Sequence, residues 1–205
     1  MHWEGLVQPL VANAGWISHI ARVNLPNAIT LSRLVLTALF VAGTAMQSAA
    51  GHWIALVSFA VAAASDFLDG WLARKLGMVT AMGKLMDPLA DKILVCSAFV
   101  YLSARGLCPV WVTVVILARE FLVTGLRQIS MEAGHVMAAD RLGKWKTTLQ
   151  LVFCITSLIW LAGPLKDLTR PNGWLAQASL WASLALTLLS GWNYTWSCRY
   201  LLRGK

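Results

Sequence analysis

Charged and turn-forming residues divide this chain into six long apolar stretches. They predict helices from Pro26 to about Met46, His52 to about Arg74, about Gly83 to Ala104, Val110 to about Ile129, Lys144 to Ala162 and Trp174 to about Tyr200. Each approaches the roughly 20 residues a helix needs to cross a bilayer. The pattern therefore predicts an all-α integral membrane protein with six transmembrane helices. Pro26 suits a first helical turn and Asn24 its cap. Upstream, Trp3, Leu6, Val7, Leu10, Ala14 and Ile17 share a helical stripe, with Trp3 and Trp16 suited to headgroup depth. Residues 1–23 are accordingly expected to form an interfacial amphipathic helix, a loosely ordered tail being the alternative, and residues 24–205 one transmembrane domain. The opening has no basic leader and carries Glu4, so cleavage as a signal sequence is not expected.

Composition reinforces the membrane reading. Of 205 residues, 58% are hydrophobic and only 13% charged, and eleven are Trp. A net charge of +8 acts first as a topology signal and an attraction to anionic headgroups. The basic residues form no run interleaved with aromatics, so nucleic acid is not expected as a partner. With six spans, the N-terminal segment, the connector from Arg74 to Lys84, the region of Arg127, Arg141, Lys144 and Lys146, and the tail with Arg199, Arg203 and Lys205 fall on one side. The other side holds Arg105, Lys166 and Arg170, so both termini are expected in the cytoplasm. Cys96, Cys108, Cys154 and Cys198 are scattered without metal-binding or disulfide-framework spacing.

The chemistry concentrates between Asp66 and Asp91. On one helix Asp66, Asp69, Gly70 and Ala73 fall at i, i+3, i+4 and i+7, one face carrying two carboxylates and two small residues. On the next, Gly83, Asp87 and Asp91 are spaced by four. A short connector makes the pair antiparallel, and the two stripes would bring four carboxylates together. Acids at the ends of membrane helices are costly and repel one another unless cations intervene. The donors are all hard oxygens, with no His or Cys before Cys96, which favours two Mg²⁺ or Mn²⁺ ions over zinc or copper. Helix-terminal acids held by Arg74, Lys84 and Lys92 are the plainer alternative, but they would not require Gly and Ala at the intervening positions. A cation transporter could also carry intramembrane Asp, without needing Gly70, Ala73 and Gly83.

A second constellation follows. Arg119 and Glu120 lie within the fourth helix with Arg127 two turns on, and Lys144 and Lys146 open the fifth. Arg grips oxyanions bidentately and Lys adds charge, so Arg119, Arg127, Lys144 and Lys146 are candidates for a phosphate pocket. Pairing of Arg119 with Glu120, and a topology role for the two Lys, are the alternatives. Arg33 sits a turn or two inside the first helix, where its charge needs a partner unless it snorkels to the interface.

The pattern Asp-x2-Asp-Gly-x2-Ala-Arg-x8-Gly-x3-Asp-x3-Asp, filled by Asp66, Asp69, Gly70, Ala73, Arg74, Gly83, Asp87 and Asp91, resembles the signature of the CDP-alcohol phosphotransferase family. The resemblance extends over about residues 24–155, through Asn24-Leu-Pro-Asn-Ala-Ile-Thr30, Ala118-Arg119-Glu120 and Gly143-Lys-Trp-Lys146. It implies a multi-pass, metal-dependent enzyme of the bacterial inner membrane, usually a homodimer, with its active site open to the cytoplasm. Membrane lipids would surround it. It further implies transfer of a phosphatidyl group from CDP-diacylglycerol to sn-glycerol 3-phosphate. Sibling enzymes use inositol phosphate, serine or phosphatidylglycerol as acceptor. By the same resemblance Asp66, Asp69, Asp87 and Asp91 hold the metals, Asp91 is also the catalytic base, and Asn27, Thr30, Arg33, Gly70, Ala73, Arg74, Thr80 and Gly83 serve the nucleotide donor.

Overall fold

The computed structural model describes the backbone of residues 31–76, 81–132, 141–163, 173–197 and 199, and their side chains except at 66–76, 81–91, 132 and 141. The expected interfacial helix at 1–23, together with Asn27, Thr30 and Thr80, lies outside the described residues. Within them the protein is all-α. We number the helices α1 (Leu31–Ala45), α2 (Ala49–Leu76), α3 (Ala81–Ala104), α4 (Val110–Glu132), α5 (Arg141–Ala162) and α6 (Trp174–Ser197).

The helix ends follow from local chemistry. The α2 helix starts three residues earlier than its apolar run indicates, because the Ser48 hydroxyl accepts the Gly51 N–H at 3.1 Å and the Ser48 carbonyl accepts the His52 N–H at 2.9 Å. At the end of α3, Gly106 takes a left-handed conformation (φ 72°). Its N–H reaches the Ser103 carbonyl and the Leu107 N–H the Leu102 carbonyl, both at 2.9 Å, so the last turn keeps its acceptors bonded. The Pro109 carbonyl then accepts the first amides of α4, from Val112 and Thr113, at a position where proline's missing N–H removes no bond.

At one end Arg105, just past α3, meets His52 near the start of α2 with an Nη2–Nε2 distance of 2.9 Å, so α2 and α3 are antiparallel as their short connector leads one to expect. Trp111 at the start of α4 lies 5.9 Å from Trp181 of α6, ring to ring. The α5 helix is central, packing on α2, α3 and α6, while α4 packs on α3 and α6. Phe40 joins Phe59 and Tyr101 at the α1–α2–α3 junction, and Phe99 stacks near Phe153 where α3 meets α5. The α1 and α2 helices cross closely: a methyl group on Gly43 would sit 2.8 Å from the Gly51 carbonyl oxygen. Gly125, by contrast, has open space around it within the chain.

Polarity is distributed inside out. Val57, Trp192, Leu188 and Leu189 face outward, with Val57 53% and Trp192 69% exposed, whereas Ser130, Ser183, Thr187 and Ser190 are fully buried. Several buried hydroxyls bond within their own helices: Thr187 donates to the Ser183 carbonyl at 2.6 Å and Thr156 to that of Val152 at 2.8 Å. Small inward residues let helices approach closely. One described stretch, Leu142–Ala162, is long and apolar enough to cross a membrane by itself. Polar residues interrupt the other helices: Arg119, Glu120 and Arg127 in α4, a buried Ser/Thr stripe in α6, and, in the sequence of α2 and α3, the acidic motif.

Candidate active site

Five helices enclose a cavity of about 290 Å³. Arg33 reaches it from α1, Ala62 and Ala63 from α2, Lys92 and Val95 from α3, Glu120 from α4, and Thr147 and Gln150 from α5. The helical backbone relates this cavity to the acidic motif. Asp66 comes one turn after Ala62 in α2, and Asp91 one turn before Val95 in α3. The side chains of Asp66, Asp69, Gly70, Ala73, Arg74, Gly83, Asp87 and Asp91 lie outside the described residues.

Behind the cavity wall is a buried charge network. Glu120 accepts from Lys146 Nζ through Oε1, and Arg119 Nη1 lies 3.4 Å from the same oxygen. Lys146 is only 3% exposed. A buried cation of this kind needs its acid, since unpaired charge in such a setting costs several kcal/mol, of order 3–5 when one partner is removed. Arg119 also donates through Nη2 to the Ser190 hydroxyl of α6 at 2.7 Å. Its guanidinium stands 5.8 Å from the centre of the Tyr194 ring, and that of Arg127 stands 5.4 Å from the same ring. A Cβ at Gly191 would come within 3.0 Å of Arg119 Cγ, so the glycine makes room for the arginine stem.

The structure thus groups Arg119, Lys146 and Glu120 directly, and brings Arg127 beside Arg119 through Tyr194. Lys144 is exposed. Arg33 is buried and lines the cavity. Arg33 and Lys92 line the cavity together with Glu120, whose carboxylate Lys146 and Arg119 hold from behind, so the cavity is charged rather than apolar. Pattern reading did not find Gln150, Ser190, Gly191 and Tyr194. A signal for the α6 group was present: Ser179, Ser183, Thr187, Ser190 and Tyr194 recur every three or four residues, one polar face on an otherwise apolar helix.

A helical bundle with a charged cavity one helical turn from an eight-residue signature carrying four Asp defines the class. The chain belongs to the CDP-alcohol phosphatidyltransferase family, whose profile matches residues 23–189. It is similar to the CDP-diacylglycerol–glycerol-3-phosphate 3-phosphatidyltransferase of Bacillus subtilis, at 38% identity over 184 residues covering 83% of this chain and 93% of that one. A protein of the same name from Rickettsia felis is 31% identical, covering 86% and 96%. A probable phosphatidylglycerophosphate synthase of Mycobacterium tuberculosis is 39% identical, covering 88% and 84%.

Proposed function

We propose that this protein transfers a phosphatidyl group from CDP-diacylglycerol to sn-glycerol 3-phosphate, yielding phosphatidylglycerophosphate and CMP for phosphatidylglycerol synthesis. What carries the reading is an intact acidic signature in a chain that aligns over most of its length with relatives bearing that activity in their names. The cations gathered at the site, Arg33, Lys92, Arg119 and Lys146, support it, since both substrates are phosphorylated.

The acceptor's primary hydroxyl oxygen forms a bond to the phosphatidyl phosphorus as the bond from that phosphorus to the CMP oxygen breaks. Asp91 takes the hydroxyl proton, and CMP leaves with the bonding electrons. The donor set of Asp66, Asp69, Asp87 and Asp91 is all oxygen, carried on two continuous antiparallel helices, and fits two Mg²⁺ or Mn²⁺ ions. Such ions, when bound, neutralise the donor diphosphate and the charge growing on CMP. Asn27, Thr30, Arg33, Arg74 and Thr80 hold the nucleotide and its phosphates, while Gly70, Ala73 and Gly83 leave room for it. Arg119 and Arg127, with Lys144 and Lys146, draw the acceptor phosphate, and Glu120 holds Lys146 in place.

In this reading six spans cross the bacterial inner membrane, residues 1–23 lie on its surface, and residues 24–205 form the catalytic domain. The outward Val, Leu and Trp side chains support a lipid-facing exterior. The placement of Arg127, Lys144 and Arg199 towards one end of the bundle, with Arg105 at the other, supports a cytoplasmic active site and cytoplasmic termini. The protein acts as a homodimer by family resemblance.

The test uses purified protein with Mg²⁺, CDP-diacylglycerol and one acceptor at a time, following CMP and identifying the lipid by mass spectrometry. CMP release is expected with glycerol 3-phosphate, with phosphatidylglycerophosphate as product. Release only with inositol phosphate, serine or phosphatidylglycerol would replace the acceptor, and release with none would overturn the proposal.

A further inference from the structure

Gln150 occupies an unusual position in the cavity. It lines the cavity, is only 2% exposed, and its amide Nε2 has no hydrogen-bond partner among the described residues. A buried donor left unmatched costs about 1–3 kcal/mol, so a protein keeps one where a ligand oxygen completes it. Its uncharged neighbours compete little for that role, the Cys96 thiol being only a weak donor. The Thr147 hydroxyl is committed to the Gly143 carbonyl at 3.1 Å, and Leu94, Val95 and Leu151 are apolar.

We infer that Gln150 recognises the non-reacting secondary hydroxyl of the polyol phosphate acceptor and so sets acceptor specificity. The inference rests on the proposed function and goes one step deeper into the same site. The acceptor phosphate is drawn to the cations of α4 and α5, Arg119, Arg127 and Lys146 among them, against which a neutral amide competes poorly. The primary hydroxyl must face the base on α3. The one oxygen of glycerol 3-phosphate that needs a neutral partner is therefore the hydroxyl between them. Gln150 stands one turn beyond Lys146 on α5 and shares the cavity lining with Val95, itself one turn beyond Asp91 on α3, which suits a donor to the middle of a three-carbon acceptor.

The experiment compares glycerol 3-phosphate with 3-hydroxypropyl phosphate, which keeps the primary alcohol and the phosphate but lacks the secondary hydroxyl. The parent protein is expected to favour glycerol 3-phosphate by roughly 10–100-fold in kcat/KM, the range of one buried hydrogen bond. Gln150→Met keeps the length of the side chain and removes the donor. It is expected to lose that preference, with kcat/KM for glycerol 3-phosphate falling by the same factor. The value for 3-hydroxypropyl phosphate and the KM for CDP-diacylglycerol should stay within about threefold, since neither depends on that bond. Equal losses with both acceptors, or a rise confined to the KM for CDP-diacylglycerol, would overturn the inference. So would a parent protein that does not discriminate, a result that needs no variant to fold. A parent protein inactive with glycerol 3-phosphate would remove the proposed function as well, whereas an active, non-discriminating parent removes this inference alone.

Discussion

Arg119 is held by three groups with separate tasks. Glu120 balances its charge, the Tyr194 ring lies beside its guanidinium, and the Ser190 hydroxyl fixes one nitrogen at 2.7 Å. If this arginine draws the acceptor phosphate, Ser190→Ala frees its orientation without altering its charge. The KM for glycerol 3-phosphate should rise about tenfold, in keeping with loss of one charge-assisted hydrogen bond. The KM for CDP-diacylglycerol should stay constant, and Ser190→Thr, which keeps the hydroxyl, should restore most of the loss. An unchanged acceptor KM in steady-state CMP release would separate Arg119 from the acceptor. Asp91→Asn makes the complementary case. It keeps the side chain's size but cannot take up a proton, so CMP release should fall below detection while the protein reaches the membrane in normal amounts. Robust turnover by that variant would remove Asp91 as the base.

At the scale of whole helices, the long apolar stretches placed all six of those described, because both the buried and the outward faces of these helices are largely apolar. Their ends were less legible. The start of α2 is set by Ser48 rather than by the apolar run, α4 continues to Glu132 past its apolar part, and α5 begins at Arg141, before the two lysines. The acidic signature was legible because its spacing is local. The α6 contribution was not, since Ser190 meets Arg119 across 71 residues of chain and nothing local in either segment names the other. The α1–α2 crossing was equally hidden: Gly43 and Gly51 look like ordinary small residues until the helices fold back on each other. A Cβ at Gly51 would lie 2.5 Å from the Gly43 carbonyl oxygen and 2.8 Å from Met46 Cβ. Gly51→Val should therefore lower the thermal midpoint in detergent, at a cost of about 1–3 kcal/mol from overpacking. A midpoint equal to the parent's would show that the helices part without penalty.

For the molecule as a whole, the reversal of polarity has a consequence that distinguishes lipid from water as its surroundings. Val57 lies eight residues into α2, roughly 12 Å from the helix start at 1.5 Å per residue, and faces outward. That depth approaches the middle of a hydrocarbon layer about 30 Å thick. On a water-facing helix, Val57→Lys would be harmless within about 0.5 kcal/mol. In a bilayer, a lysine near the helix centre costs about 2.5–3.5 kcal/mol, reduced as far as its stem can reach the headgroups. The side chain is too far from the cavity-lining residues Ala62 and Ala63 along the helix face to act through the site directly: it precedes them by five and six residues. The lysine variant should thus be depleted from the membrane fraction and lose thermal stability, whereas Val57→Leu should behave as the parent does. Membrane levels and melting behaviour of Val57→Lys matching those of Val57→Leu would mean that this face does not touch lipid, and the six-span arrangement built on its outward apolar residues would have to be redrawn.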